Sequence, residues 1–579
     1  MDILDYDLII LGSGIAGLTA AIHAYRSSKG SAKIAIISKL HVMRSHSVAA
    51  EGGISGVLYP ESNNDSQKLH AYDTVKGSDY LADQDAVDVL VKGAPKEIEF
   101  FDHIGVPWNR LEQGHISQRP FGGMSVPRTA FAADKTGFFM MRALYDEVIS
   151  YNGVDIFNEH FATSIIFDKG KASGLVAIDL ANRQAKAFRS KAMIIATGGF
   201  SRVYGFTTNS YSNTGDGTAM AFRAGIPLKD MEFVQFHPTA LVPSGILITE
   251  AARGEGGYLV NSEGKRFMES YAKSKMELAP RDIVSRAIIS EIKAGRGFED
   301  KESAMGYVYL DLRHLDKEKV DEHLPMIKEI TMKTLRLDPS EAPIPIRPAT
   351  HFTMGGIHTD IGGRVMINPT RASTGLWAAG ECACVSVHGA NRLGSNSLSQ
   401  CSVWGRITGT DAVKYALNSS SGFDSRLKKL AERMASQAES FLEMKGDVNP
   451  YEIRDELHDT MDTNLYVYRD MKGMIAAKRK IQSLRKRFMR VYVSDKGKAY
   501  NTNLKETLEI ANLIDLAEVV TECAINRKES RGSHVVIEHP KRDDKNWMKH
   551  TIAQKSIRGV KLSYLPVKVL KFQPEERKY

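Results

Sequence analysis

Short apolar runs that stop at glycine recur along this chain. Tyr6-Asp7-Leu8-Ile9-Ile10-Leu11 runs into Gly12, and Ile34-Ala35-Ile36-Ile37 follows an alanine-rich helical stretch from Leu18 to Tyr25. Much later, Met193-Ile194-Ile195-Ala196 ends in Thr197-Gly198-Gly199, and Gly375-Leu376-Trp377-Ala378-Ala379 ends in Gly380-Glu381. Apolar runs without alternation predict strands covered on both faces, as in a parallel sheet. The first two runs, with their intervening helix, predict a β-α-β unit. All four together predict one parallel sheet assembled from distant parts of the chain. The stretch at about 234–349 then becomes an inserted domain.

From about 411 to 528 the period changes. Leu427, Leu430, Ala431, Met434, Ala438, Phe441 and Leu442 fall on one helix face, which reads as core. Beyond it, among Pro540, Pro566 and Pro574, the segments Val535-Val536-Ile537 and Val567-Lys568-Val569-Leu570 read as short strands. The polar stretch 61–68 reads as a surface loop. There is no internal repeat and no low-complexity tract.

Composition adds boundaries to this picture. A chain of 579 residues, 42% hydrophobic and 25% charged, is ordinary for a globular protein of several domains. No run approaches the ~20 apolar residues that span a bilayer. Met1-Asp2-Ile3-Leu4-Asp5 is acidic and leads straight into the first strand, so neither a secretory signal nor a mitochondrial transit segment is expected. Cys382, Cys384, Cys401 and Cys523 do not form a disulfide framework, and they lack the spacing of a zinc site or iron–sulfur cluster. No metal ligand set is expected. The net charge of +8 is partly local, in Lys478-Arg479-Lys480 and Arg485-Lys486-Arg487. That run reads as a solvated helix face or as a docking surface for an acidic partner or an anionic membrane surface. Aromatic residues are not interleaved with it, so a nucleic-acid partner is not expected.

The candidate chemistry begins at Gly12-Ser13-Gly14-Ile15-Ala16-Gly17, a dinucleotide fingerprint between strand and helix. Glycine admits a pyrophosphate close to the backbone, and the helix N-terminus favours its charge. The second strand ends in Ser38-Lys39 rather than in the acid that usually holds a ribose, which weakens a nicotinamide reading. Ser38 can still bond a ribose hydroxyl, and Lys39 can add charge near the phosphates. Asp216, in Thr214-Gly215-Asp216-Gly217, and Glu381 suit ribose or ribityl hydroxyls of FAD. Just after the fingerprint stands Arg44-Ser45-His46-Ser47-Val48-Ala49-Ala50-Glu51-Gly52-Gly53. His46 there is either a polar loop residue or an anchor bonded covalently to a flavin.

Over nearly its whole length the chain resembles the flavoprotein subunit of succinate dehydrogenase and quinol:fumarate reductase, the respiratory complex II family. The segment around His46 carries the resemblance, with Glu232-Phe233-Val234-Gln235-Phe236-His237-Pro238-Thr239, Thr249-Glu250-Ala251-Ala252-Arg253-Gly254-Glu255-Gly256-Gly257 and Pro280-Arg281-Asp282. So do His351-Phe352-Thr353-Met354-Gly355-Gly356, the stretch from His388 through Arg392 and Ser397 to Leu398, and Glu529-Ser530-Arg531-Gly532-Ser533-His534.

The resemblance implies an α/β fold: a Rossmann-like FAD-binding domain split by an inserted α+β capping domain, then a helical domain and a small C-terminal domain. The implied ranges are 1–233 and 350–410 for the FAD-binding domain, 234–349 for the cap, 411–528 and 529–579. It implies FAD held by an 8α-histidyl bond to His46. Gly12, Ser13, Gly14, Ala16, Gly17, Ser38, Lys39, Ser45, Ser47, Ala50, Gly52, Gly53, Asp216, Glu381, Ser397 and Leu398 would sit around the cofactor. It implies a clamp for a four-carbon dicarboxylate, with His237 and Thr249 at one end and His351 and Arg392 at the other; an arginine fork suits a carboxylate. Arg281 matches the proton-transfer residue, with Glu250 and Arg253 as its relay and His237 beside it. Hydride would pass from succinate to flavin as Arg281 takes a proton, and fumarate would leave. An iron–sulfur subunit, a membrane anchor and quinone are the implied partners. They would place the chain peripherally on the cytoplasmic face of a prokaryotic membrane.

Some positions depart from the family pattern. Phe138 stands where His is usual, and Leu465-Tyr466-Val467-Tyr468-Arg469 replaces a Val-Gly-Val-Phe-Arg run. Glu51 leans toward the reductase type, while Ala383-Cys384-Val385-Ser386-Val387 leans toward the dehydrogenase type, so direction stays open. The rival readings are L-aspartate oxidase or a soluble fumarate reductase, both with free flavin, and a flavin-bearing assembly subunit without turnover.

Overall fold

The computed structural model describes residues 2–300, 305–419 and 425–578; side chains at 425–427 and 438 lie outside that description. The four apolar runs lie side by side. Strands Asp2–Leu11, Ile34–Ile37, Ala185–Ile195 and Arg371–Ala378 are parallel neighbours, with Leu11 opposite both Ile37 and Ile195, and Ala378 opposite Ile195. Leu8, Ile9, Ile10, Ile34, Ile36, Ile194 and Ile195 are all fully buried, which accounts for the missing alternation. The complete sheet has eight strands and is mixed, not wholly parallel. His160–Asp168, Lys171–Asp179 and Ala185–Ile195 form an antiparallel meander, and Arg364–Asn368 turns back on Arg371–Ala378.

Helix Ile15–Ser27 crosses back over this sheet, pressed on the strand-to-helix turn. A Cβ on Gly17 would lie 2.0 Å from the Gly12 carbonyl oxygen, and one on Gly12, at φ +112°, 2.1 Å from that of Ala196. Two fingerprint glycines are therefore required by backbone packing itself.

The inserted stretch builds its own four-stranded sheet, ordered Val234–Leu241, Ile344–Thr353, Val308–Asp311, Tyr258–Val260. Helix Arg281–Glu291 packs against it, around a core of residues such as Leu259, Val284, Ile288, Leu310 and Ile346. Strand Ile344–Thr353 runs through the expected boundary at 349/350, and helix Asn396–Leu417 runs through that at 410/411.

Helices Ser425–Glu443, Pro450–Asn464, Met471–Phe488 and Thr502–Asn526 form the helical region. Ala431 is buried on the expected face of the first; Leu427 and Ala438 are outside the described side chains. The basic run lies on Met471–Phe488 and is largely paired: Lys478 with Glu522, Lys480 and Arg487 with Glu456, Arg485 with Asp515 and Glu518. Among the described residues no helix is long and apolar enough to cross a membrane.

Two expected strands are absent. Val535-Val536-Ile537 is a looped segment with isolated bridges, because the Val536 N–H goes to the Ser530 hydroxyl. The segment 567–570 is not in a sheet either. Its backbone N–H groups go to side chains, Lys568 to Asp83 and Leu570 to Gln84. The real hairpin is Lys549–Ser556 with Gly559–Pro566, whose second strand is largely exposed and lacks the expected alternation. The loop 61–68 holds only to Ser66, which caps helix Gln67–Gly77 through the Leu69 N–H.

Candidate active site

The carboxyl ends of the parallel strands open on one long cavity of about 1890 Å³, including its mouth. Parallel strands bring their ends to one side, so glycine turns hundreds of residues apart meet there. Nearly every candidate residue lines this space: Gly12, Ser13, Gly14, Ala16, Ser38, Lys39, Ser45, His46, Ser47, Ala50, Gly52, Gly53, Asp216, Glu381, Ser397 and Leu398 at one end, and His237, Thr249, Glu250, Arg281, His351 and Arg392 at the other. Gly17 serves helix packing instead, and Arg253 lies behind Glu250.

At the fingerprint end the Ser13 and Ser38 hydroxyls are 2.6 Å apart, and the Ser47 hydroxyl accepts the Ile15 N–H at the helix start. Lys39 is engaged within the protein. Its Nζ reaches Asp216 at 2.6 Å, Glu509 at 2.7 Å, and Thr214 and the Ser212 carbonyl at 2.8 Å. Asp216 also accepts from Asn512, so it faces the cavity already ion-paired and bonded to the helical region. Glu381 accepts from the Thr353 backbone, and burial raises its carboxyl to about 7.

His46 stands on the short turn His46–Ala49. Its Nδ1 accepts from the Ser210 N–H at 3.4 Å, and burial lowers its pKa to about 4. The ring is therefore neutral, with its proton on Nε2. Beside it Glu51 is buried, with Oε2 unpartnered among the described residues; burial and then Asp134 raise its pKa well above the ordinary range.

The other end is cationic. Arg281 opens helix Arg281–Glu291; its Nε donates to Glu250 Oε2 at 2.7 Å and its NH1 to Gln235 Oε1 at 3.2 Å. Glu250 also accepts the Gly122 N–H at 2.6 Å, and its Oε2 is 3.5 Å from Arg253 NH2. Burial would raise the Glu250 carboxyl, but Arg281 and Arg253 outweigh it and hold the pKa at about 2. Arg392 donates to Ser397 at 2.7 Å and lies over the Phe352 ring; burial and then Arg281 push its pKa well down. Arg253 Nε and NH2 and Arg392 Nε find no hydrogen-bond partner among the described residues.

Two histidines complete this end, with ring centroids 4.9 Å apart. They ride on neighbouring strands and owe their aim to irregular pairing. Gln235 and Phe236 face Phe352 and Thr350, so His351 is an extra, unpaired residue; a second shift falls between His237 and Ala240, at Pro238. Such bulges re-aim side chains. His237 Nδ1 lies 3.2 Å from the Thr239 carbonyl and 3.3 Å from the Thr239 N–H, and His351 Nδ1 is 2.7 Å from the Thr208 hydroxyl. Burial and then Arg281 push both rings well below the ordinary histidine pKa. The arrangement holds neutral imidazoles, and the tautomer protonated on Nε2 can donate to an anion.

Gln235, Thr208 and Gly122 were not among the sequence candidates. Gln235 could have been found, since it alternates with His237 on one strand face. It ties Arg281 to the Arg392 carbonyl, at 2.7 Å. Thr208 leaves no sequence signal. Phe138 is 40% exposed on helix Thr136–Ile149. The 465–469 run turns inward: the Tyr466 hydroxyl donates to the Pro348 carbonyl, and Arg469 donates to the Glu232 carbonyl and to His534.

The residues fit FAD. The glycine turn exposes a helix N-terminus, Glu51 and Thr197 present unpartnered buried oxygens near it, and the cavity continues to a cationic end. Comparison with known proteins agrees. Residues 7–398 match the FAD binding domain family, and residues 454–579 match the fumarate reductase flavoprotein C-terminal family. The fumarate reductase flavoprotein subunit of Serratia sp. is 43% identical, covering 100% of this chain and 97% of that protein. The succinate dehydrogenase flavoprotein subunit of Rickettsia bellii is 42% identical, over 97% and 95%. A solved E. coli quinol fumarate reductase mutant chain superposes with a TM-score of 0.95 at 40% identity, over 100% of this chain and 99% of that one. This chain belongs to the family of FAD-dependent flavoprotein subunits of fumarate reductase and succinate dehydrogenase.

Proposed function

We propose that this protein interconverts succinate and fumarate, with its FAD bonded covalently to His46. The observation that carries the reading is the junction of a dinucleotide cradle with a buried, cation-rich end, where Arg392 Nε has no hydrogen-bond partner among the described residues. Bound FAD supplies two-electron, hydride-accepting chemistry. The protein supplies the rest. A carboxylate meets Arg392 and the His351 Nε2–H; the other meets the His237 Nε2–H and the Thr249 hydroxyl. Fixing both ends orients the central carbons and offsets the entropy of alignment. Arg281 exchanges a proton with one carbon. Its neutral form is a strong base, suited to taking a proton from carbon. Glu250 returns charge to Arg281, and Arg253 continues the path outward. Glu250 is kept ionised, so it is ready to accept a proton in transit.

His46 suits attachment because its ring is neutral and on the cavity wall. Electrons then leave through an iron–sulfur subunit and a membrane anchor to quinone. This places the protein peripherally on the cytoplasmic face of a prokaryotic membrane.

The test is dye-coupled succinate oxidation and fumarate reduction by the purified, flavin-loaded protein. Both activities are expected, with flavin retained by the polypeptide after acid precipitation and released from His46→Ser. Arg281→Lys should lower kcat about 10²- to 10⁴-fold with flavin retained. Oxidation of L-aspartate to peroxide, or no turnover in either direction, would overturn the reading.

A further inference from the structure

The segment 567–578 is a strap. Lys568 N–H bonds Asp83, and the Leu570, Lys571 and Phe572 N–H groups all bond Gln84 Oε1, which fastens it to helix Gln84–His103 and its cap. Arg542 NH2 then holds the Glu575 carbonyl. Two residues on, Arg577 reaches between two bodies. Its NH2 lies 2.6 Å from Asp282 Oδ2 and its Nε 3.2 Å from Asp79 Oδ1, with the side chain only 8% exposed.

These carboxylates belong to different parts of the fold. Asp79 sits in the turn after helix Gln67–Gly77 and is anchored there by the Gly532 N–H and Arg542. Asp282 is the second residue of helix Arg281–Glu291, next to Arg281 itself. Other polar ties between this inserted body and its surroundings are mostly single hydrogen bonds, among them Gly122 N–H to Glu250, Gly123 N–H to the Leu278 carbonyl, Met326 N–H to Asp134, and Arg286, itself paired with Asp282, to the Gly532 carbonyl. A buried guanidinium gripping a carboxylate on each side is stronger than any of these.

We propose that Arg577 is a positioning residue for the reaction: by pinning Asp282 to Asp79, it sets Arg281 against the Arg392 and His351 side of the cavity. The inference rests on the proton-transfer reading of Arg281. Arg577 touches neither substrate nor cofactor, so its loss acts on placement. Proton transfer weakens more than dicarboxylate binding, because Arg392 and His351 stay where they are.

The experiment compares Arg577→Gln and Arg577→Lys with the parent in the flavin-loaded protein, purified with whatever subunits accompany it. Flavin content and melting are recorded first. The readouts are kcat, the solvent deuterium isotope effect on kcat, and the Kd of malonate from flavin absorbance. For Arg577→Gln, kcat is expected to fall about tenfold, as a misplacement of under ~1 Å would give, with a raised isotope effect and a malonate Kd changed less than about threefold. Arg577→Lys keeps the charge but not the fork, and should fall between. A kcat within about twofold of the parent and an unchanged isotope effect in Arg577→Gln would overturn the proposal. If that variant does not load flavin, Arg577→Lys decides, and parent-like kcat and isotope effect there are the overturning result. Arg281→Lys separates the two readings. If it is inactive while Arg577→Gln is unaffected, only the role of Arg577 falls; if it is active, the underlying reading falls.

Discussion

Two regions of this molecule bury several arginines, and they do it in opposite ways. Behind the hairpin, Arg527 and Arg531 are fully buried with Glu232 and Glu529, and every guanidinium nitrogen donates. Charges there balance. At the cationic end of the cavity, Arg253 and Arg281 share Glu250, while Arg392 has no ion-pair partner among the described residues and its Nε no hydrogen-bond partner there. Burying a charge is expensive in either place. The first region offsets most of that cost with its own carboxylates; the second holds an excess of cations over carboxylates on a cavity wall. Buried charge alone does not distinguish the two regions, whereas the unbalanced sign does.

Substituting one arginine in each region tests the contrast most strongly. Arg527→Met leaves Glu232 without its cation, and should destabilise the fold by about 3–5 kcal/mol while leaving turnover per bound flavin nearly unchanged. Arg392→Met removes a cation that Arg281 repels, so melting should hold steady or rise. Its kcat/KM for succinate should fall by about 2–4 kcal/mol, roughly 30- to 1000-fold. Comparable losses of melting temperature in the two variants would dissolve the distinction.

A pH titration sharpens it next. Each region holds a neutral histidine: His534 accepts from Arg469, and burial, then Arg392, lowers His388 to about 3, whereas on the hairpin Asp230 and Asp83 outweigh burial and raise His550 to about 9. Burial likewise lowers His70 to about 4. The lowered folded-state values lie below the unfolded value of about 6.5, so the unfolded chain binds more protons there under acid. Their contribution is full above pH ~6.5 and falls by about 1.4 kcal/mol per unit per histidine as pH drops toward the folded values, while that of His550 is full below pH ~6.5 and is lost as pH rises through about 9. Glu250 adds to the loss only below its unfolded value of ~4.5, down through about 2. Melting temperature that stays level between pH 7 and about pH 5 would contradict this reading.

The smallest effect concerns tautomers. Thr208→Val deprives His351 of its Nδ1 partner and should raise the KM for succinate roughly three- to tenfold, about 1 kcal/mol, while Thr208→Ser restores it. An unchanged KM in Thr208→Val would mean that His351 needs no orienting group.

Much of this was legible in the residues. Four apolar runs, three of them ending at glycine, sufficed for the parallel sheet, since burial on both faces leaves a plain signature, and parallel strands deliver their loops to one side. What could not be read depends on contacts between distant segments. Lys39 looked available to a phosphate, but its charge is taken by Glu509, which lies on a helix far along the chain. His351 owes its aim to a register shift that no local pattern encodes. The strand expected at 567–570 failed because Asp83 and Gln84 claim its N–H groups, and the true outer strand is too exposed to alternate.

The register-shifted strands have one more consequence. Val234–Leu241 and Ile344–Thr353 are the two chain crossings into the inserted body, and His237 and His351 sit on them. Both imidazoles therefore stand where the chain passes between the FAD-binding part and the inserted body, so their positions are set by both bodies together and by neither alone.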